Sequence, residues 1–165
     1  MKRTLSFILL AACSLLPMGA QAPMDGGVWN DNTGKHINAH GGSIFNYKGT
    51  YYWYGESRSA DGKPYSSLGV SCFTSKNLKD WTNHGLVLPV SSEPGCDIEG
   101  GCIIERPKVL YNARTRKFVM WFHLEMKGKG YAAARSGVAV SDTPFGPFRF
   151  VRSGRVNAGR YPIGF

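Results

Sequence analysis

The sequence predicts an all-β fold built from repeated four-stranded units. Short runs rich in β-branched and aromatic residues recur along the chain, separated by turns of Gly, Asn and Asp. No stretch after residue 22 has the period of an amphipathic helix. The runs form two sets of four, in which Ser75 and Ser141 lie 66 residues apart and Ser43 and Pro107 occupy like places 64 residues apart. A repeat of this kind, with four short strands per unit, is typical of the blades of a β-propeller.

The first unit begins after a glycine pair that follows His40. Such a pair indicates that the backbone passes close to another part of the molecule. Lys48-Gly49 forms a turn into the second strand, Thr50–Glu56 (TYYWYGE), and Leu68–Ser75 and Gly85–Val90 are the third and fourth strands.

The second unit carries charge where a plain apolar strand is expected. Glu105 and Arg106 lie in its first strand, and a buried carboxylate or guanidinium is costly unless it is paired. They therefore indicate a binding site, although simple alternation would place them on opposite faces of a regular strand. The predicted strands of this unit are Ile103–Tyr111, Lys117–Glu125, Ser136–Ser141 and Phe148–Val151.

Residues 1–22 have the pattern of a secretory signal peptide, so residues 23–165 form the mature segment. Lys2 and Arg3 precede an apolar run, and Ala20-Gln21-Ala22 provides a cleavage site. The run is too short for a membrane span. A lipoprotein cleavage box ending at Cys13 is the less favoured alternative, and the protein is predicted to be exported to the periplasm or the medium.

Composition excludes several other classes of protein. The net charge is +9 at pH 7, but the basic residues are scattered, which favours a solvated surface over nucleic-acid binding. The spacing of Cys96 and Cys102 permits a disulfide in an exported protein, whereas Cys72 is predicted to be a buried thiol. His36 and His40 are four residues apart outside any helix, so no metal site is predicted. No cofactor is predicted, a central metal ion is left open, and the oligomeric state is not predicted.

Five segments together resemble glycoside hydrolase family 43, in its exo-β-1,3-galactanase branch. The resemblance extends from about Trp29 to the end of the sequence, and the segments are AHGGSI (39–44), TYYWYGE (50–56), SKNLKDW (75–81), IIERPKV (103–109) and FVMWFHLE (118–125). It implies a five-bladed propeller, of which this chain covers about the first two blades as an N-terminal fragment. It also implies inverting hydrolysis that releases galactose from β-1,3-linked galactan or its oligosaccharides, with the general acid beyond Phe165. The fragment alone would then be inactive.

The chain departs from the commoner pattern of that family. Gly41 stands where most members have an Asp base, and Lys108 stands where they have a second Asp. The galactanase branch shares both departures and keeps Glu105, which the resemblance therefore implies as a catalytic residue. The implied substrate-binding residues are His40, Tyr54, Glu56, Arg106 and His123, and Trp53 and Trp121 are predicted to be core. Two alternatives stay open, an arabinofuranosidase or xylosidase of the same family and a non-catalytic glycan-binding propeller.

Overall fold

The structure, a computed structural model, describes residues 27–61, 63 and 66–156. Over these residues the chain forms two antiparallel sheets of four strands, each sheet in chain order. Sheet 1 contains β1 (His40–Tyr47), β2 (Thr50–Arg58), β3 (Ser67–Ser75) and β4 (Thr82–Pro89). Sheet 2 contains β5 (Ile103–Asn112), β6 (Lys117–Glu125), β7 (Arg135–Ser141) and β8 (Arg149–Gly154). The predicted all-β class and the two sets of four strands are confirmed, while the predicted signal peptide lies outside the described residues.

The serines that end the third strands are equivalent in the two sheets. Ser75 pairs with Tyr51, and Ser141 pairs with Phe118. Each serine hydroxyl accepts the backbone N–H two residues further along, at 3.1 Å in both cases. The repeat predicted from this pair of serines is therefore confirmed at the level of hydrogen bonds.

The first strands are equivalent in a register one residue away from the predicted one. Ser43 pairs with Tyr54, and Lys108 pairs with Trp121. Tyr54 lies three positions after Tyr51, the partner of Ser75, and Trp121 lies three positions after Phe118, the partner of Ser141. Ser43 therefore corresponds to Lys108, and the predicted match of Ser43 with Pro107 is wrong. The error arises because both first strands contain an irregularity at this point.

The main core lies between the two sheets. Alternate residues of β2 and β6 point into it, as the two-residue period of a strand requires. From β2 these are Tyr52 and Tyr54, and from β6 they are Phe118, Met120, Phe122 and Leu124. Aromatic rings join the sheets, with Phe45 and Phe118 packed edge to face at 6.4 Å.

The outer faces of the two sheets differ. Residues 27–39 cover sheet 1, where Trp29 and Trp81 pack against Trp53, and Trp53 joins that second core as predicted. On sheet 2, Trp121 is 48% exposed and Leu110 is 62% exposed. The core position predicted for Trp121 is wrong for this chain, because its neighbours on β6 turn to sheet 1 and leave its ring on the outer face.

The three described cysteines are free thiols. Cys72 and Cys102 have no exposed surface, and burial raises the pKa of each thiol to about 12. The burial predicted for Cys72 is confirmed, and the disulfide that the spacing of Cys96 and Cys102 permits is not formed. None of the described segments is a helix long and apolar enough to cross a membrane.

Candidate active site at the paired strand bulges

The site begins where the first strands of the two sheets meet. The register of β1 skips between His40 and Ser43, and that of β5 skips between Glu105 and Lys108. The Ser43 hydroxyl donates to the carbonyl oxygen of Pro107 at 2.6 Å and joins the two irregularities. Because a bulge bends a strand and re-aims its side chains, the two bulges turn the ends of both sheets toward one place.

Equivalent residues of the two bulges share a left-handed backbone. Gly41 has φ +57° and Arg106 has φ +52°. Arg106 lies beside Gly41, since a Cβ on that glycine would stand 3.7 Å from the Arg106 Cγ. Glu105 is buried and Arg106 is exposed, as alternation along a strand requires. The register skip after Glu105 and the positive φ of Arg106 leave the Arg106 side chain beside Gly41, the residue that follows His40 in β1.

Two glycines are required here by space. A Cβ on Gly42 would lie 2.4 Å from the Trp53 Nε1 and 2.6 Å from the Tyr54 carbonyl oxygen. A Cβ on Gly55 would lie 2.3 Å from the backbone of Ala39. The close backbone approach predicted for the first glycine pair is confirmed. At Gly55 the missing side chain lets the segment that leads into β1 pack directly on β2.

The same row of both sheets carries a histidine and a glutamate. His40 pairs with Glu56 in sheet 1, and Glu105 pairs with His123 in sheet 2. By the register of the repeat these pairs are equivalent, with the order of the two residue types exchanged. The row lies at the end of both sheets where β1 and β5 begin and β2 and β6 end.

In sheet 1 the carboxylate of this row is buried and paired. Glu56 is 1% exposed. Its Oε2 lies 3.4 Å from the His40 Nδ1 and accepts a hydrogen bond of 2.7 Å from the Arg58 Nε. A carboxylate removed from water in this way is stabilised by charge-assisted hydrogen bonds.

In sheet 2 the carboxylate of Glu105 is held from two sides. Its Oε1 lies 3.6 Å from an Arg58 terminal nitrogen and accepts a 2.9 Å hydrogen bond from the Tyr131 hydroxyl. Glu105 is 9% exposed, whereas Tyr131 is 62% exposed. The hydrogen bond to Glu105, with a further contribution from burial, raises the pKa of Tyr131.

His123 lies on β6, directly opposite Glu105 in sheet 2. Its Nε2 lies 3.0 Å from the Glu125 Oε1, and the Tyr131 ring stacks on the imidazole at 6.2 Å with an interplanar angle of 13°. Glu125 is 1% exposed and also accepts the Ala134 backbone N–H at 2.9 Å. This pairing fixes the imidazole beneath an exposed aromatic ring.

The structure thus brings together most of the predicted residues and leaves one out. Glu56 and Glu105 meet around Arg58, and His40 contacts Glu56. His123 is linked to Glu105 through Tyr131, and Arg106 lies beside Gly41. Tyr54 has no exposed surface, and its hydroxyl donates to the carbonyl oxygen of Pro144 in the core. This position argues against the substrate-binding role predicted for Tyr54, because an enclosed ring offers no surface to a ligand.

Arg58, Tyr131 and Glu125 were not predicted as site residues. Arg58 and Glu125 each lie two positions from a predicted residue in a strand, and that spacing is a signal that they share its face. Tyr131 lies in a loop, where the sequence carries no comparable signal. Among residues 27–61, 63 and 66–156, no group of three or more His, Cys, Asp or Glu is arranged to hold a metal ion.

No protein-family model and no curated protein matches the chain. Solved structures do match it. A GH43 β-1,3-galactosidase solved with galactodeoxynojirimycin is 58% identical, with a TM-score of 0.77, over 82% of this chain and 39% of that one. An exo-β-1,3-galactanase from Clostridium thermocellum is 45% identical, with a TM-score of 0.70, over 79% of this chain and 27% of that one. An exo-β-1,3-galactanase from Phanerochaete chrysosporium solved with galactose is 36% identical, with a TM-score of 0.70, over 79% and 29%.

These matches show the class of protein to which the chain belongs, the glycoside hydrolases. The chain belongs to glycoside hydrolase family 43, in the group that contains the β-1,3-galactosidases and exo-β-1,3-galactanases. It spans 39% of the length of the first of these relatives and less than a third of the other two.

Proposed function

We propose that the protein containing this chain is an exo-acting β-1,3-galactosidase, which releases galactose from β-1,3-galactan with inversion at the anomeric carbon. The observation that carries this proposal is the meeting of Glu56 and Glu105, from different sheets, around one guanidinium. The relatives also support it. The exo-β-1,3-galactanase from Phanerochaete chrysosporium was solved in one structure with galactose and in another with β-1,3-galactotriose.

Each residue of the cluster has a role that follows from its exposure. Glu105 would accept hydrogen bonds from galactose hydroxyls and steer the reacting centre, because charged acceptors make strong and directional hydrogen bonds. His40 and Arg106 are exposed and would donate to hydroxyls, with His123 behind Tyr131. Glu56, nearly enclosed, would orient His40 and offer the sugar only a small surface.

The general acid would come from outside this chain. An inverting glycosidase needs an acid on the leaving oxygen and a base on a water at the opposite face, with the two carboxyl groups about 6.5–9.5 Å apart. Glu56 and Glu105 contact the same guanidinium and serve the recognition side of the pocket. We propose that the acid and the residue that activates water lie on further blades.

A five-bladed propeller is the architecture proposed for the whole protein. The relatives are more than twice as long as this chain, and sheet 2 presents Leu110 and Trp121 on its outer face, where a third blade would cover them. We also propose export through the signal peptide at residues 1–22. Detection of the full-length protein in the periplasm or medium, with its N-terminus after Ala22, would test that part.

Substitution of Glu105 tests the proposed activity. In the full-length protein, Glu105→Gln should lower turnover of β-1,3-galactan by about 100-fold or more, because an important transition-state contact is lost. Glu93→Gln, which changes an exposed loop glutamate, is the matched control and should retain turnover. Galactose release is measured by chromatography, with arabinan and xylan as comparison substrates.

Three outcomes would contradict the proposal. Hydrolysis of arabinan or xylan in preference to galactan would assign the site to another sugar. Binding of galactan without any hydrolysis by the wild-type protein would indicate a glycan-binding propeller. Equal turnover by the wild type and by Glu105→Gln would remove Glu105 from the active site.

A further inference from the structure

Arg58 lies between two carboxylates that belong to different sheets. Its Nε binds Glu56 at 2.7 Å within sheet 1, and a terminal nitrogen faces Glu105 of sheet 2 at 3.6 Å. Its side chain is 45% exposed, in contrast to 2% for that of Glu56 and 11% for that of Glu105. The guanidinium is therefore the part of this trio that stands at the surface of the site.

The backbone of Arg58 is fixed independently of these ion pairs. The Asn38 side chain donates to the Arg58 carbonyl oxygen at 2.7 Å, and its Oδ1 accepts the Arg58 N–H at 3.1 Å. On its other edge β2 still pairs with β3 here, because Arg58 is opposite Ser67 after a shift in register. The segment before β1 and strand β3 together hold the backbone of Arg58 in place.

We infer that Arg58 is the positioning residue for Glu105. Asn38 fixes the backbone of Arg58, and the buried Glu56 fixes its guanidinium within sheet 1. The guanidinium in turn fixes the Glu105 carboxylate of sheet 2. The inference rests on the proposed role of Glu105 at the reacting centre, and Arg58 acts through Glu105.

Electrostatics explains why the site needs this cation. If the guanidinium were removed, the two carboxylates that face it would repel each other. The repulsion would be strong because both carboxylates are buried away from bulk water. A second contact on the same Glu105 oxygen comes from Tyr131, which belongs to the loop between β6 and β7. Without Arg58, Glu105 would therefore be held from the loop side while sheet 1 repels it.

Kinetics of the full-length protein on β-1,3-galactan test this role. Arg58→Met keeps an unbranched apolar stem and removes the guanidinium, and kcat/KM should fall by about 100-fold, the scale of a misplaced reacting group. Millimolar guanidinium ion should restore part of that loss. Arg58→Lys, a point charge of shorter reach, should show an intermediate loss. Arg114→Met, in the exposed turn between β5 and β6, is the matched control and should retain wild-type kinetics.

A second measurement does not depend on activity. With ¹³C-labelled glutamate, the carboxyl resonance of Glu105, assigned with Glu105→Gln, should move in Arg58→Met and stay unchanged in Arg114→Met. A Glu105 resonance that does not move in Arg58→Met would overturn the inference, because Arg58 would then not contact Glu105. If that resonance moves but the wild type does not hydrolyse galactan, the proposed function fails and the contact stands.

A purely structural role for Arg58 has its own signature. Arg58→Met would then lower the unfolding temperature, while guanidinium ion and Arg58→Lys would restore no activity at a temperature where the protein is folded. That combination would also overturn the inference. Positioning instead predicts rescue by the cation and by the conservative variant.

Discussion

Gly55→Ala should damage the protein through a single methyl group. Gly55 lies in β2 directly before Glu56, and the backbone of Ala39 crosses its face. The new Cβ would stand 2.3 Å from the carbonyl carbon and oxygen of Ala39 and 2.5 Å from its Cα. All three are backbone atoms, so no side-chain rotation can make room. The segment that carries His40 must move instead.

The size of the effect follows from these distances. Non-bonded carbon atoms approach to about 3.5 Å, so residue 39 would have to retreat by about 1.2 Å. Overpacking of this kind costs about 1–3 kcal/mol. The lower backbone entropy of alanine in the unfolded chain offsets about 0.4–1 kcal/mol. The difference between the midpoints of these two ranges predicts that Gly55→Ala lowers the free energy of unfolding by about 1.3 kcal/mol.

Denaturant unfolding of Gly55→Ala and of a control measures this loss. The control is Gly154→Ala, because a Cβ at Gly154 meets no atom within 4 Å and that residue has no positive φ; its free energy of unfolding should rise by about 0.4–1 kcal/mol, the effect on the unfolded chain alone. The retreat of residue 39 would also displace Asn38 from Arg58, so kcat/KM on galactan should fall with it. Equal stability of the two variants would refute the close approach over Gly55.

Three further variants or reagents test other parts of the structure. Hydrogen bonding from Thr33, together with other donors, lowers the pKa of Asp31 in the folded protein. The contribution of Asp31 to folding stability is therefore present above about pH 4 and is lost as the pH falls through the folded pKa. Asp31→Asn should reduce the dependence of the unfolding free energy on pH in that range. Tyr54→Phe should cost about 1–3 kcal/mol in denaturant unfolding, because it leaves the Pro144 carbonyl oxygen without its donor; a loss below about 0.5 kcal/mol would contradict that hydrogen bond. In the native protein at pH 8, iodoacetamide should modify the half-buried Cys96 well before Cys72 and Cys102, whose pKa values burial raises to about 12; peptide mapping would show the order, and early modification of Cys72 would contradict its burial.

The strands could be predicted from the sequence because local signals agree along them. Aromatic and β-branched runs such as TYYWYGE, bounded by Gly and Asn turns, specify strands whatever they pack against. The register at the bulges could not be predicted in this way. Arg106 adopts a left-handed backbone that an arginine rarely takes. This conformation depends on packing against β1, and the local sequence carries no signal for it.

The site shows the same division between local and tertiary signals. Glu105 was predictable because a carboxylate within an apolar strand is unusual unless a ligand or a cation needs it, whereas Glu56 was predicted only from the resemblance to family 43. Tyr131 was not predictable, because its loop is held by distant contacts, the ion pair of Lys127 with Glu99 at 2.7 Å and the bonds of Arg155 to loop carbonyl oxygens. Trp121 was misjudged because a strand pattern does not say which face a second sheet covers.

The cross-sheet contact of Arg58 has a consequence for the order in which the chain folds. Residues 40–89 contain sheet 1 complete, and in that sheet Arg58 already has Glu56 as its partner. During synthesis the N-terminal sheet emerges first, so we expect its ion pair to form before Glu105 has left the ribosome. The second sheet then docks onto a charge that is already in place, and the contact between Arg58 and Glu105 forms in the step that closes the core between the two sheets.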